Sequence, residues 1–417
     1  MAKKSPSFFH NISFWLLLVG QFISNLGLIC AYVTISWITY RLTNSTLAVG
    51  QILFTFSIAQ LFGRLFSGSL VDRLDLRKIM VATDLLTGFF LFLLLLLLAS
   101  QHFQLWQLYL TVALIGYTQA LFQLASFSLL PELVHSTELE QTNALMMGSQ
   151  ELTSTLGTAM AGGIIDIFGS KIALLTVASA FILSAISEFG IRFRRQVTRI
   201  PYTSWLQGLR TGFNFYTQQP ALLWLTILVA ITGIGEAAVQ AVMLPFLERE
   251  LDASATEFGL VLSAFSIGAV VSALTIGLLR KTKKRQQFIV GGLLLNGLAI
   301  ILLALAPNLS WVLVTAFCRG FAFSLVNILS TVIYQQLIPV EFRGRVFAVR
   351  LVLEEGFLPV GFFAGGALGE AISLRYLLLA TGLLICFSAI SSLFITSLRH
   401  INTLSNIEQE ELPLNEK

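Results

Sequence analysis

Apolar segments long enough to cross a membrane recur in this chain almost from end to end, and few folds accept such a sequence. Hydrophobic residues fill 56% of the 417 positions and charged residues only 12%, with a mean hydropathy of +0.81. Soluble proteins carry about 25% charged residues, and a helix crosses a bilayer with about 20 mostly apolar residues. On that measure segments 12–40, 47–71, 79–99, 105–130, 141–165, 171–191, 221–247, 255–278, 287–306, 310–338, 346–370 and 373–397 are twelve spanning helices. Lipid supplies no hydrogen bonds, so each span must satisfy its own backbone. The expected fold is an all-α integral membrane protein with no room left for a folded soluble domain.

Charge sets the expected orientation, because Lys and Arg gather on the cytoplasmic side. Lys3, Lys4, Arg73, Arg77, Lys78, Arg192, Arg194, Arg195, Arg199, Arg210, Arg280, Lys281, Lys283, Lys284, Arg285, Arg343, Arg345, Arg399 and Lys417 fall on one side. Only Arg41, Lys171, Arg249 and Arg375 fall on the other. Both termini are therefore expected in the cytoplasm, and the basic run 280–285 reads as a topology signal, with no nucleic-acid partner. The polar start, Met1 to Asn11, runs into a long first span, so no signal cleavage is expected. Cys30, Cys318 and Cys386 lie in apolar segments and read as packing residues, not as disulfides.

The longest polar connection, 192–220, separates six spans from six. Expected domains are thus 1–191, a linker at 192–220, 221–398, and a disordered acidic tail at 399–417. Trp205, Leu206, Leu209, Phe213 and Tyr216 recur at helical spacing, which fits either a surface helix or a plain linker. The two halves also resemble each other. Gly50 to Ile58 lays over Gly259 to Ile267 and Gly68 over Gly277, while Gly27 falls near Gly235 and Ala161–Gly163 near Ala364–Gly366. Two pseudo-symmetric six-helix bundles are one known transporter architecture.

The stretch Gly68-Ser69-Leu70-Val71-Asp72-Arg73-Leu74-Asp75-Leu76-Arg77-Lys78 resembles the loop signature of the major facilitator superfamily, a Gly-x-Leu-x-Asp-Arg run ending in basic residues. It departs at Asp75, where a glycine is usual, and at Leu76, where a basic residue is common. Gly20 to Gly27, Tyr40 to Ser45, Pro131 to Leu133, Thr142 to Leu145, and Pro339 through Val346 are similar to the efflux branch of enterobactin-type siderophore exporters and macrolide pumps. The resemblance implies the major facilitator fold and a gating role for Gly68, Asp72, Arg73, Arg77 and Lys78, supported by Arg64 and Asp84. Two departures bear on antiport. Leu28 stands where the branch often has an acid, and Thr158 where the antiporter signature has a proline.

Ionisable groups within spans are costly and are functional candidates by default. Arg64 and Asp84 lie at similar depth on neighbouring spans, as a static ion pair or as support for the loop. Glu236 follows Gly233 and Gly235, shares a helix face with Gln240, and occupies by the repeat the place of Leu28. It is the leading proton carrier, with Glu151 and Glu355 as helpers; the alternative is a hydrogen-bonded packing residue. Arg350 and Glu354 are four apart, the spacing of a local pair. Arg319 either binds an anionic group on cargo or neutralises an internal acid. Gln21, Asn25, Tyr32, Gln119, Gln123, Gln240, Arg319 and Asn327 are the candidates for lining a substrate cavity. The polar stripes among them serve equally as glue between helices.

The chain has no phosphate-binding Gly-x-x-x-x-Gly-Lys-Ser/Thr loop, no His-Glu-x-x-His and no Gly-x-Ser-x-Gly. His10, His102, His135 and His400 are scattered. No cofactor, metal or enzymatic activity is expected. The expected function is secondary export of an amphiphilic small molecule across the cytoplasmic membrane by proton antiport, by a protein monomeric by default and in contact with lipid. The alternatives are a proton-coupled nutrient importer and a non-transporting receptor or scaffold on the same fold.

Overall fold

The computed structural model describes residues 11–67, 71, 74–100, 102–135, 138–192, 212–216, 218–278, 285–338 and 340–395. Its first half holds α1 (Ile12–Thr43), α2 (Thr46–Phe66), α3 (Leu76–Ala99), α4 (Leu105–Leu133), α5 (Leu139–Phe168) and α6 (Ser170–Phe189). The second holds α7 (Pro220–Leu251), α8 (Ala255–Leu278), α9 (Arg285–Ala304), α10 (Leu309–Leu337), α11 (Val340–Glu355), α12 (Leu358–Ala371) and α13 (Leu374–Ser392).

Helix ends follow local chemistry. Asn11 opens α1 by accepting from the backbone N–H groups of Ser13 at 3.0 Å and Phe14 at 3.3 Å. Asn44 ends the same helix in the left-handed region, at φ 47°, which asparagine tolerates well. Asp75, the departure from the family loop, is the N-cap of α3, accepting from the N–H groups of Arg77 and Lys78 at 3.0 and 3.4 Å. The predicted span 346–370 is broken into α11 and α12 at Gly356 and Phe357. Pro359, at the start of α12, has no N–H to give and disfavours helix in the residue before it.

Eleven helical segments among the described residues are long and apolar enough to cross a membrane, with the stretch Val349–Ala371 counted as one of them. The remaining predicted span, α5, is 30 residues long but carries Gln141, Asn143, Gln150, Glu151 and a run of Thr and Ser. Its length suits a crossing and its polarity marks a helix that serves more than lipid contact. Phe89, Leu96, Phe127, Ile186 and Phe387 are exposed, as expected of a surface whose solvent is the acyl chain.

The chain divides into two compact units, residues 1–199 with 252–263, and residues 200–251 with 264–417. In the N-terminal unit α1 packs on α5 and α6, and α3 packs on α4 and α6. In the C-terminal unit α7 packs on α12 and α13, and α9 packs on α10 and α13. The same pairing pattern thus recurs in both halves. Gly27 on α1 faces Ala180 and Phe181 of α6, while Gly235 on α7 faces Thr381 and Ile385 of α13. The sequence repeat therefore places small residues where corresponding helices meet. Phe14, Leu17, Met80 and Leu129 centre one core, and Leu222, Leu329, Ile333 and Tyr334 the other. Tyr216, part of the predicted surface stripe, is instead buried in that second core, where it accepts a hydrogen bond from Thr226.

Candidate functional site

Three helices of the C-terminal unit converge on one carboxylate. Glu236 on α7 accepts from Asn296 Nδ2 of α9 at 2.8 Å and from Arg319 Nη2 of α10 at 2.5 Å. Glu236 and Arg319 are each only 3% exposed. Of the two readings of Arg319, internal neutralisation is the one the geometry supports. The guanidinium also lies 5.6 Å from the ring centre of Phe265, and its Nε has no hydrogen-bond acceptor among the described residues. Oδ1 of Asn296 is likewise unpartnered. The cluster is charge-balanced but not saturated. A buried pair of this kind is strongly destabilised when one partner is lost.

Asn296 also lines a cavity of ≈ 380 Å³ inside this unit. Its polar wall is completed by Thr232, Asn327, Arg350, Glu354 and Glu355. Its apolar wall includes Val229, Leu293, Phe323, Phe347, Leu351 and Leu358. Arg350 and Glu354 form the local pair that their spacing predicts, with Nε at 2.8 and 2.9 Å from the two carboxylate oxygens. The guanidinium stacks 4.2 Å from the ring centre of Tyr334 and donates to Thr331 at 3.2 Å. An apolar chamber with a few fixed polar groups is the usual construction of a small-molecule site.

The structure brings together only part of the predicted site. Glu236, Arg319, Asn327 and Glu355 belong to this unit and are joined by Asn296, which the sequence reading omitted. Gln240 is exposed while Glu236 is buried, although they share a helix face. Val239 and Ala241 on either side of it are buried, so the exposure is confined to the side chain at 240. Glu151 is exposed on α5 and lies in the other unit. Gln21 and Gln119 are buried in the N-terminal unit, and Asn25 and Tyr32 are half-buried there. The expected Arg64–Asp84 pair is not formed. Arg64 donates to Gln123 at 3.0 Å, and Asp84 accepts from Ser24 of α1 at 3.1 Å. The direction of each side chain around its helix decided this, and similar depth alone did not.

Gly68, Asp72 and Arg73 of the predicted gating loop lie outside the described residues. Arg77 donates to the carbonyls of Ile191 at 3.1 Å and Phe189 at 3.5 Å, fastening the start of α3 to the end of α6. Lys78 is exposed. Thr158 shares a 2.7 Å hydrogen bond with Ser263, a contact that a proline there would lack. Cys30, Cys318 and Cys386 are free thiols.

A family model described as transmembrane secretion effector matches residues 5–416. Over 424 residues the chain is 26% identical to the MFS-type transporter YfiS of Bacillus subtilis (strain 168), covering 97% of this chain and 99% of that one. It is 24% identical to the multidrug efflux pump Tap of Mycolicibacterium fortuitum, covering 94% and 97%. It is 20% identical to macrolide efflux protein A of Streptococcus pyogenes, covering 80% and 84%. Among solved structures, the nucleoside transporter NupG superposes with a TM-score of 0.71 at 13% identity, covering 92% of this chain and 100% of that one. A bacterial homologue of the lysosomal transporter Spinster gives 0.69 at 12% identity, covering 96% and 98%. These two likenesses establish the fold.

Proposed function

The chain belongs to the transmembrane secretion effector family of the major facilitator superfamily, and on that footing we propose that it exports an amphiphilic small molecule by proton antiport with alternating access. The similarity to Tap and to macrolide efflux protein A supports the outward direction and the drug-like cargo. The membrane is the cytoplasmic membrane, with both termini inside, which the distribution of Lys and Arg supports. The protein acts as a monomer.

The single observation that carries the reading is Glu236 held between Arg319 and Asn296, the latter shared with the ≈ 380 Å³ cavity. A proton arriving at Glu236 competes with Arg319 for the carboxylate. Protonation removes one charge of a buried pair, leaves the other uncompensated, and so shifts the balance between conformations by a large fraction of the pair's energy. Cargo in the adjoining cavity reaches the same cluster through Asn296. A ligand moves such an equilibrium only through its different affinity for the two states. Here cargo and proton act on one set of side chains, which makes their binding mutually dependent.

The test uses inside-out membrane vesicles containing the full chain, an imposed pH gradient, and a fluorescent amphiphile as probe. Export predicts accumulation inside the vesicles that stops when the gradient is collapsed. Gradient-driven loss of probe from the vesicles would favour symport, and no flux of any probe would favour a non-transporting role.

A further inference from the structure

Asp84 on α3 and Glu188 on α6 are both fully buried in the N-terminal unit, 0% exposed each, and neither forms an ion pair among the described residues. Asp84 Oδ1 accepts from Ser24. Ser184 adjoins both carboxyls, but its hydroxyl hydrogen goes to the carbonyl of Gly20 at 2.8 Å. Asp84 Oδ2 and both carboxylate oxygens of Glu188 are therefore left without a donor. The Glu188 side chain lies against α1: a Cβ on Gly20 would stand 2.8 Å from its Cγ and 3.3 Å from its Oε1. Asp84 thus meets α1 at Ser24 and Glu188 meets it at Gly20, one helical turn apart.

Among the described residues, the helices packed around the two acids offer no countercharge. Between Ile12 and Tyr40, α1 has no charged residue, and its titratable groups, Cys30, Tyr32 and Tyr40, lie farther along the helix. On α3, Arg77 is taken by the Phe189 and Ile191 carbonyls, and Lys78 is exposed. The only charge on α4 is Glu132, with Tyr109 and Tyr117 as its titratable groups. Helix α5 carries Glu140, Glu151 and Asp166 and no Lys or Arg, and the one base of α6, Lys171, sits at its opposite end. Arg64 of α2 donates to Gln123.

Two ionised carboxylates in such a place would each carry a large desolvation cost and would repel each other. One proton removes the repulsion and the desolvation cost of one of the two charges, and the protonated carboxyl donates a hydrogen bond to its ionised neighbour. We propose that Asp84 and Glu188 form a proton-binding site, in which a single proton taken from water is held between Asp84 Oδ2 and a Glu188 carboxylate oxygen. The pair then carries one negative charge instead of two. Glu188 is the next-to-last residue of α6, so water at that end of the bundle is within a turn. The site is distinct from Glu236 and does not depend on the transport reading.

The experiment is infrared difference spectroscopy of the full chain in lipid nanodiscs, without cargo or gradient, across a pH titration in sodium-free and in sodium buffer. The wild type should show a carboxylic-acid C=O band at neutral pH that Glu188→Gln removes. In Asp84→Asn the pH range of that band should move. Absence of the band in the wild type, its survival unchanged in both variants, or its loss on adding sodium would overturn the proposal, the last by assigning the oxygens to a metal cation. If Glu188→Gln fails to fold, Asp84→Asn and the wild-type sodium comparison still decide the question. Failure here leaves the export test untouched, and the reverse holds too.

Discussion

Glu236 and Arg319 meet at 2.5 Å across two helices, with their side chains only 4% and 3% exposed. One acid and one base offset each other in a medium where neither is tolerable alone.

Removing the base alone should therefore be severe. Arg319→Leu leaves Glu236 with Asn296 as its only described partner, and we expect a loss of about 3–5 kcal/mol. The double variant Glu236→Gln, Arg319→Leu should recover much of it, because no unpaired charge remains. Thermal melting in detergent checks this; a single variant that melts with the wild type would contradict it.

The cavity makes a separate claim. Asn327 lines it as an exposed amide, and Asn327→Ala removes hydrogen bonding worth about 0.5–1.5 kcal/mol. Binding of a fluorescent amphiphile should weaken up to about tenfold with unchanged melting. Unaltered affinity would remove Asn327 from the cargo site.

Close helix packing gives a third expectation. A Cβ at Gly365 on α12 would stand 2.6 Å from Ala238 Cα and 2.7 Å from its carbonyl oxygen on α7. Those are backbone atoms, so the helices must part. Gly365→Ala should cost about 1–3 kcal/mol, measured as a lower melting temperature. Gly163→Ala, which meets nothing within 4 Å, is the control and should melt with the wild type.

Asp166, the residue that follows the predicted span 141–165, gives a pH dependence. Its oxygens accept from the N–H groups of Ala255 and Thr256 at 3.2 and 2.8 Å, beside the Ser254–Glu257 capping box of α8. Burial pushes its carboxyl up, but the hydrogen bonds from Thr256, Ser254 and Ala255 outweigh that and hold it below the usual carboxylate range. A lowered folded-state value means stability present at neutral pH and lost as pH falls through that value, here below about pH 4. The carboxylate is mostly exposed, so solvent screening keeps the effect to about 0.5 kcal/mol. Asp166→Asn should flatten the acid limb of a melting-versus-pH curve; an unchanged limb would contradict the assignment.

The helices were legible because lipid imposes one rule on every span, and length and apolarity report it directly. The limits of that legibility lie in direction. Arg64 and Asp84 share a depth, and the sequence paired them; their side chains leave their helices on different sides, toward Gln123 and Ser24. Glu188 and Asn296 were overlooked although each interrupts an apolar run, Glu188 because it lies at the end of its span. Glu236 was found because the glycine repeat located it, and Arg350–Glu354 because a pair four residues apart needs no knowledge of any other helix.

The central claim is that a proton exchanges with Arg319 for the carboxylate of Glu236 during export. The most direct measurement reconstitutes wild type and Glu236→Gln in liposomes and follows probe flux and proton flux together across an imposed pH gradient. The account predicts that Glu236→Gln no longer moves protons with the probe and that its probe flux ignores the gradient. Transport by Glu236→Gln with wild-type gradient dependence and proton flux would contradict it.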